Sequence, residues 1–420
     1  VESEIADIGL ADLGLRRVDW ADRSMPVLAA VRRRLGADRP LDGLRIVACM
    51  QVTAETANLL RTLAAGGAAV TIAASNPLAT QDDVAAVLVR DFGIGVFAVG
   101  GVDHETYLRH IASACAVRPH LVLDEGGDLI DALGTSGAGD AGDLVGGYEA
   151  TASGEIRLRQ MWRDGTLAVP VVAGDDTPTR RLLDSRYGTG QSVLDGVIRS
   201  SNLLLAGRTV VVAGYGPCGT GLAERARGMG ARVVVTEVDP VRALDAALQG
   251  YWVLPMSHAA PLGDLFLTAT GNRDVITGAH LAVMKDGAIL ANAGHFDVEI
   301  SLADLSSLAV SVTYAVRPHA DEYTLPDGRR LVLLGQGRVV NLTAAEGNPA
   351  ASMDVSFAGQ ALTVEWLATW HHALAAGVHA VPAEIDREVG RLKLASMGLE
   401  IDLLTQDQLD YLRSWHPPAD

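Results

Sequence analysis

Lysine is almost absent from this chain of 420 residues. Only Lys285 and Lys393 occur, against many arginines, so few positions can offer an ammonium group for proton transfer. Cysteine is scarce as well. Cys49, Cys115 and Cys218 form no Cys-x-x-Cys pair, which fits a reduced compartment and leaves no structural metal to expect. No apolar run approaches the ~18–20 residues of a membrane span. The first residues, Val1-Glu-Ser-Glu-Ile5, are acidic, whereas a secretion signal is basic and then apolar, so a cytoplasmic place is expected. Basic charge is in deficit: the net charge is −17, which argues against nucleic acid as the partner. The hydrophobic content of 49% lies in short runs bounded by Gly, Asp and Asn. That length and content suffice for two domains with sizeable cores.

One stretch stands out, Val210-Val-Val-Ala-Gly214-Tyr-Gly216-Pro-Cys-Gly219-Thr-Gly221, followed by Val233-Val-Val-Thr-Glu237. It reads as strand, glycine turn, helix, strand and acid. Gly214 permits the tight turn, Gly216 lets backbone approach a pyrophosphate, and Gly219 lets helix and strand pack closely. The helix N-terminus then offers free N–H groups to the phosphates. Glu237 follows Gly219 by 18 residues, where a carboxylate takes the adenosine ribose hydroxyls and repels a 2′-phosphate. The pattern predicts a dinucleotide site with NAD favoured over NADP.

Strand-like runs at Leu44–Cys49, Ala69–Ala73, Val96–Gly100, Leu121–Asp124 and Val169–Ala173 alternate with helical segments such as Ala54–Ala65. That alternation is the mark of an α/β fold with a parallel sheet. Helix-rich sequence from Asp184 to Leu205 leads into a second unit of the same kind. Its strands are expected at Thr209–Ala213, Arg232–Thr236, Leu265–Thr270 and Ala288–Ala293, and Pro326-Asp-Gly328 signals a hairpin. The expected architecture is two doubly wound parallel-sheet domains joined by a hinge. The divisions fall at 1–180 for the first part of a substrate domain, 190–345 for a Rossmann NAD domain, 346–380 for a return to the substrate domain, and 381–420 for a C-terminal helical tail.

Several strings together resemble the S-adenosylhomocysteine hydrolase family. They are Ala6-Asp-Ile-Gly-Leu10, Leu123-Asp-Glu-Gly-Gly-Asp128, Gly214-Tyr-Gly216, Thr236-Glu-Val-Asp-Pro240, Gly294-His-Phe-Asp-Val-Glu299, Val339-Val-Asn-Leu342 and Gly377-Val-His379. The resemblance runs in order from about Ile5 to Tyr411. It implies tightly held NAD, an adenine nucleoside substrate and a homo-oligomer, a dimer or tetramer. It also implies a redox-assisted elimination: C3′ is oxidised, the C4′ proton becomes acidic, and the 5′ substituent leaves. By the same resemblance Asp184 serves the 3′-hydroxyl and His295 stands beside C5′. Thr53 and Glu55 meet the adenine, and Thr151 lies in the ribose motif. Thr270, Gly271 and Asn272 line the NAD, with Asn341 near the hinge and nicotinamide.

The departures from the family pattern are as informative. Its catalytic lysine falls on Arg180, which stays charged but carries protons poorly. Glu125 replaces an aspartate and is one methylene longer; it is expected to remove the C4′ proton, and His295 to help the 5′-hydroxyl leave. Ser185 replaces an asparagine, Gln51 replaces a histidine, Asn348 replaces a histidine on the adenine side, and Ala150 replaces a ribose-binding glutamate; Gln51, Ser185 and Asn348 are still expected to bind the substrate. The family's C-terminal Lys and Tyr have no counterpart after Trp415, so looser NAD binding is expected. Ala150 is expected to open room on the ribose 2′ side, with Glu149 as a possible substitute. Gln51 cannot exchange a proton at neutral pH, so re-addition of water is expected to suffer more than elimination. The pattern suggests a retained redox engine with a changed substrate: a nucleoside 4′,5′-dehydratase, acting for example on a psicofuranosyl adenine. The rivals are a divergent S-adenosylhomocysteine hydrolase and a silent NAD-binding subunit.

Overall fold

The structure, a computed structural model, describes residues 2–135 and 143–414. The extreme N-terminal residue and the tail from Trp415, on which the expectation of looser NAD binding rests, lie outside them. Two eight-stranded sheets organise the chain. The first runs Glu4–Ile5, Gly95–Ala98, Ala69–Ala74, Arg45–Met50, Leu121–Asp124, Gly146–Glu149, Pro170–Ala173 and Gly377–Ala380 in spatial order. Every neighbouring pair in it is parallel. Strands buried on both faces need continuous apolar runs, and Ile46 to Met50 supplies one with no exposed member. The helix Ala54–Ala65 follows it, capped by Thr53, whose side chain accepts from Thr56 N.

The second sheet runs Trp252–Val253, Arg232–Thr236, Thr209–Ala213, Leu265–Thr268, Ala288–Asn292, Arg330–Leu334, Ala320–Thr324 and Ser311–Arg317. Its first six strands are parallel. The last two turn back as antiparallel edges, the first of them through the turn at Pro326-Asp-Gly328. The strands expected to reach Thr270 and Ala293 stop at Thr268 and Asn292. Beyond those points the backbone bends into loops that face the site.

In each sheet the strand order switches direction between two central parallel neighbours. In the first it reverses between Arg45–Met50 and Leu121–Asp124; in the second, between Thr209–Ala213 and Leu265–Thr268. Crevices at the carboxyl ends of such strands are where open α/β sheets bind ligands. Gln51 and Glu125 follow the first pair, and Gly214 and Thr270 lie just past the second.

The sheets are linked by helical chain from Pro178 to Ser201. Residues Arg181–Thr189 form a π-helical stretch within it, a rare geometry that tends to mark functional positions. The chain returns through Val340–Thr343 and the 21-residue helix Ala350–Trp370. That helix buries Val355, Phe357, Ala361, Val364 and Leu367 in the core of the first domain. The following helix, Ala383–Ser396, packs on the same core through Val389.

Candidate active site

Two cavities meet between the sheets. The larger, of about 400 Å³, runs over the glycine turn. Gly214 takes a φ of +92°, and the Cβ of any residue at Gly219 would lie 1.9 Å from the Gly214 carbonyl oxygen. The helix Pro217–Gly228 therefore starts directly on the strand end, with its N-terminus toward the groove. Glu237 stands beside the turn. It accepts from Tyr215 N at 2.6 Å, Val238 N at 2.6 Å and Asp239 N at 3.0 Å. Across the groove, Glu299 fixes the loop after Leu265–Thr268. It accepts from Thr270 N and Oγ1 and from Gly271 N at 2.6–2.9 Å, while Asn272 N donates to Thr270 Oγ1. Thr270, Gly271 and Asn272 all line the cavity.

The smaller cavity, about 200 Å³, is walled by Gln51, Thr53, Glu55, Glu125, Thr151, Asp184, Ser185, Asn341 and Asn348 among others. The two cavities share Thr151, Asp175, Arg180, Ser185, Cys218, Ala293 and His295. The structure thus brings the sequence-derived substrate residues together, and it joins them to the dinucleotide groove at one place.

At that junction Arg180 lies between two carboxylates. It is 3.3 Å from Asp175 and 3.3 Å from Asp184, and it also donates to the Ala150 carbonyl. Burial alone would pull its pKa down, but Asp175 and Asp184 outweigh burial and raise it. Asp184 Oδ2 also accepts from Ser356 Oγ at 2.7 Å, and Oδ1 accepts from Asn348 Nδ2. Asn348 Nδ2 reaches Thr189 too, and its oxygen accepts from Ser192 and from Asn341. One network therefore ties the linking helices to the returning chain.

Burial pushes the Glu125 carboxyl up to about 7, against the pull of the Gln51 N–H and the Ser75 hydroxyl, each 3.1 Å from Oε2. His295 projects from the other domain. Its Nε2 would lie 3.0 Å from a Cβ at Gly126, so it sits against the loop that carries Glu125. Burial lowers its pKa to about 4, which leaves the imidazole neutral at pH 7. Glu55 is raised, again by burial.

Three expectations need correction. Ala150 opens no room: it is 2% exposed, lines neither cavity and packs in the apolar core of the first domain, while Arg180 donates to its carbonyl. Glu149 offers no substitute. It is fully buried, with Oε1 taken by Gly126 N, Thr151 N and Thr151 Oγ1. Asn348 does line the smaller cavity, but its amide is spent on Asp184, Thr189, Ser192 and Asn341 rather than left free for a base.

A family model described as "S-adenosyl-L-homocysteine hydrolase, NAD binding domain" matches residues 185–347, and its companion, "S-adenosyl-L-homocysteine hydrolase", matches residues 2–141. The chain is 52% identical to the adenosylhomocysteinase of Thermosynechococcus vestitus over 99% of its own length and 96% of that protein's. It is 52% identical to the adenosylhomocysteinase of Aquifex aeolicus, over 99% of each chain. The figure is 50% for the enzyme named so in Saccharolobus solfataricus, over 98% of each. The chain belongs to the S-adenosylhomocysteine hydrolase family.

Membership makes NAD the cofactor, and the residues present fit it. At Gly216 an added Cβ would meet only Arg242 within 4 Å, so the turn leaves a cradle open for a pyrophosphate. Asn341 Oδ1 is buried without a partner, as an acceptor waiting for an amide would be. Among the described residues no cluster of His, Cys, Asp and Glu is placed to hold a metal ion, and no helix is long and apolar enough to cross a membrane.

Several site residues escaped the sequence reading. Asp175 precedes Arg180 by five residues and could have been noticed as its partner. Ser75 and Ser356 carry no local signal, since they reach Glu125 and Asp184 only through the fold.

Proposed function

We propose that the chain oxidises an adenine nucleoside at C3′, removes the C4′ proton and expels a 5′-hydroxyl, acting as a nucleoside 4′,5′-dehydratase. The observation that carries this reading is the triad Asp175–Arg180–Asp184 at the junction of the cavities. It retains the carboxylate for C3′ while replacing the family's lysine by a group that cannot carry a proton.

Held between the glycine turn and the loop Thr270–Asn272, NAD would supply the hydride chemistry at C3′. Asp184 accepts the 3′-hydroxyl proton; its Oδ1 has one protein donor and so retains acceptor capacity. Arg180 stays charged and stabilises negative charge that develops on the C3′ oxygen. Glu125 takes the C4′ proton, and a carboxyl near 7 suits that task at neutral pH. The C5′–O bond then breaks. The departing oxygen needs a proton, and protonated Glu125 holds the one just removed. His295, being neutral, serves as a hydrogen-bond donor rather than as an imidazolium acid. Hydride leaves and returns at the same carbon, so the sum is loss of water.

Gln51 bears on this differently from expectation. Loss of water and its re-addition share one transition state, so a missing imidazole slows both alike. The unsaturated product then accumulates only if it is reduced at C3′ and released. Glu237, beside the turn, supports a preference for NAD over NADP.

Hydrolysis of S-adenosylhomocysteine is the second reading, favoured by the full-length identity to proteins named adenosylhomocysteinase. A screen of 5′-hydroxy and 5′-thioether adenine nucleosides, read by mass, separates the two. Loss of water from a 5′-hydroxy nucleoside is the expected result. Efficient release of homocysteine would establish the hydrolase instead.

A further inference from the structure

Two carboxyls lie buried beneath the site, and the proposed chemistry uses neither. Asp124 ends the strand Leu121–Asp124, and Glu149 ends Gly146–Glu149. They stand opposite each other on these parallel neighbours, so both side chains leave the same face of the sheet. Both are fully buried. Each spends one oxygen on its surroundings. Asp124 Oδ2 accepts from Ile130 N at 2.9 Å, at the start of the helix Asp128–Thr135. Glu149 Oε1 accepts from Gly126 N at 3.0 Å and from Thr151 N and Oγ1, both at 2.7 Å. The other two oxygens, Asp124 Oδ1 and Glu149 Oε2, have no hydrogen-bond partner among the described residues. Between these anchors runs the loop that carries Glu125. Its Gly126 and Gly127 take φ of +104° and +80°, and Gly126 abuts His295.

We infer that Asp124 and Glu149 hold one proton between them, on the two oxygens that lack partners, and so act as positioning residues for Glu125 and Thr151. An unprotonated pair offers acceptors only. Both oxygens then stay unsatisfied, and two like charges share a dry site. One proton supplies the missing donor and leaves the second oxygen as its acceptor. The surroundings agree. Burial raises both carboxyls, and the charge of Asp124 raises Glu149 further. Asp128 adds to the rise at Asp124. Arg157 opposes it, but its guanidinium is engaged by Asp128 at 2.6 Å and by the Gly126 carbonyl. Cys49, Tyr107, Cys115 and Tyr148, from the strands and helix packed around the pair, are kept neutral by burial. Glu125 is the next titratable group along the chain. The positioning role rests on Glu125 being the C4′ base of the proposed reaction.

The test replaces the carboxyls by amides of the same shape. In Glu149→Gln or Asp124→Asn the amide N–H takes the place of the shared proton. Either variant should melt at pH 7 as the unaltered protein does and keep deuterium exchange at C4′ within about twofold. The double variant D124N/E149Q sets two N–H groups against each other with no acceptor. It should melt several degrees lower and lose about tenfold in exchange. Between pH 6 and 9 the melting temperature of the unaltered protein should fall relative to that of E149Q. Carboxyls raised by folding contribute fully below their ordinary range, and the contribution fades as pH climbs through the raised one. Glu125 titrates in both proteins and cancels. A double variant as stable as the single ones, or a difference flat with pH, would overturn the shared proton. A double variant that melts lower but exchanges at the full rate would overturn the positioning role. Melting is read without nucleoside, so it stands apart from the role of Glu125. Exchange retained in E125Q would sink that role while leaving the shared proton in place.

Discussion

At the scale of single residues, the site separates two kinds of carboxyl. Asp184 is surrounded by donors from Arg180, Ser356 and Asn348, whereas Glu125 is raised to about 7 by burial. Their losses should therefore differ in kind. Asp184→Asn should abolish formation of reduced cofactor on adding nucleoside, read by nicotinamide absorbance, because the 3′-hydroxyl proton has lost its acceptor. Glu125→Gln should still reduce the cofactor but wash no deuterium into C4′ from heavy water. In the unaltered protein that exchange should rise with pH through about 7 and then level off, since Glu125 acts only when ionised. If Asp184→Asn still reduced the cofactor, or exchange were flat between pH 6 and 8, these roles would fail. The raised pKa also has a cost in stability. Glu125 binds a proton more tightly folded than unfolded, so its contribution is complete below its ordinary value and fades as pH rises through about 7. The motif residues could be read because their spacing is local. The correction at Ala150 could not, because the core that encloses it and the arginine that bonds its carbonyl, 30 residues on, come together only in the fold.

At the scale of elements, the glycine turn separates shape from binding. A methyl at Gly219 would collide with the Gly214 carbonyl at 1.9 Å, while one at Gly216 would meet only Arg242 at 3.6 Å. Gly219→Ala should therefore destabilise the fold by about 1–3 kcal/mol, the range for an overpacked contact. Gly216→Ala should leave the cofactor-free protein's melting temperature nearly unchanged and weaken NAD, because the methyl fills the cradle. Thermal unfolding and NAD titration of both variants check this; equal melting losses would show that Gly216 is structural too. The strand–turn–helix pattern was legible because valine runs and glycines are strong local signals. Gly146–Glu149 was not. Gly-Gly-Tyr-Glu lacks the β-branched run of a typical strand, and it becomes one only because its neighbours pair with it on both sides. The two-residue strand Glu4–Ile5 is likewise created by its pairing with Phe97 and Ala98.

At the scale of the whole molecule, the site exists only where two sheets face each other, and what joins them is polar. Asn348 is the centre of that joint. Its amide links Asp184 and Thr189 on the outgoing helices with Ser192 and with Asn341 on the returning chain. Sequence resemblance placed this asparagine toward the substrate base, since nothing local announces a network spanning 164 residues. The fold instead makes it a bridge between the Asp184 carboxylate and Asn341 on the returning chain. Asn348→Ala would leave Asn341 Nδ2 with only the Ser192 hydroxyl to donate to, Ser192 with only the Thr189 carbonyl at 3.5 Å, and Asp184 without one donor. Unpaired buried groups cost about 1–3 kcal/mol, so the melting temperature should fall by several degrees. The same change should slow cofactor reduction, since Asp184 loses the bond that orients Oδ1, while NAD affinity measured in the absence of nucleoside stays within about twofold. Restoring the family's residue with Asn348→His should not restore the rate, because an imidazole cannot donate to Asp184 and Thr189 from one nitrogen while accepting from Asn341. Full activity in N348H would show that the position serves the nucleoside directly and that the joint is incidental.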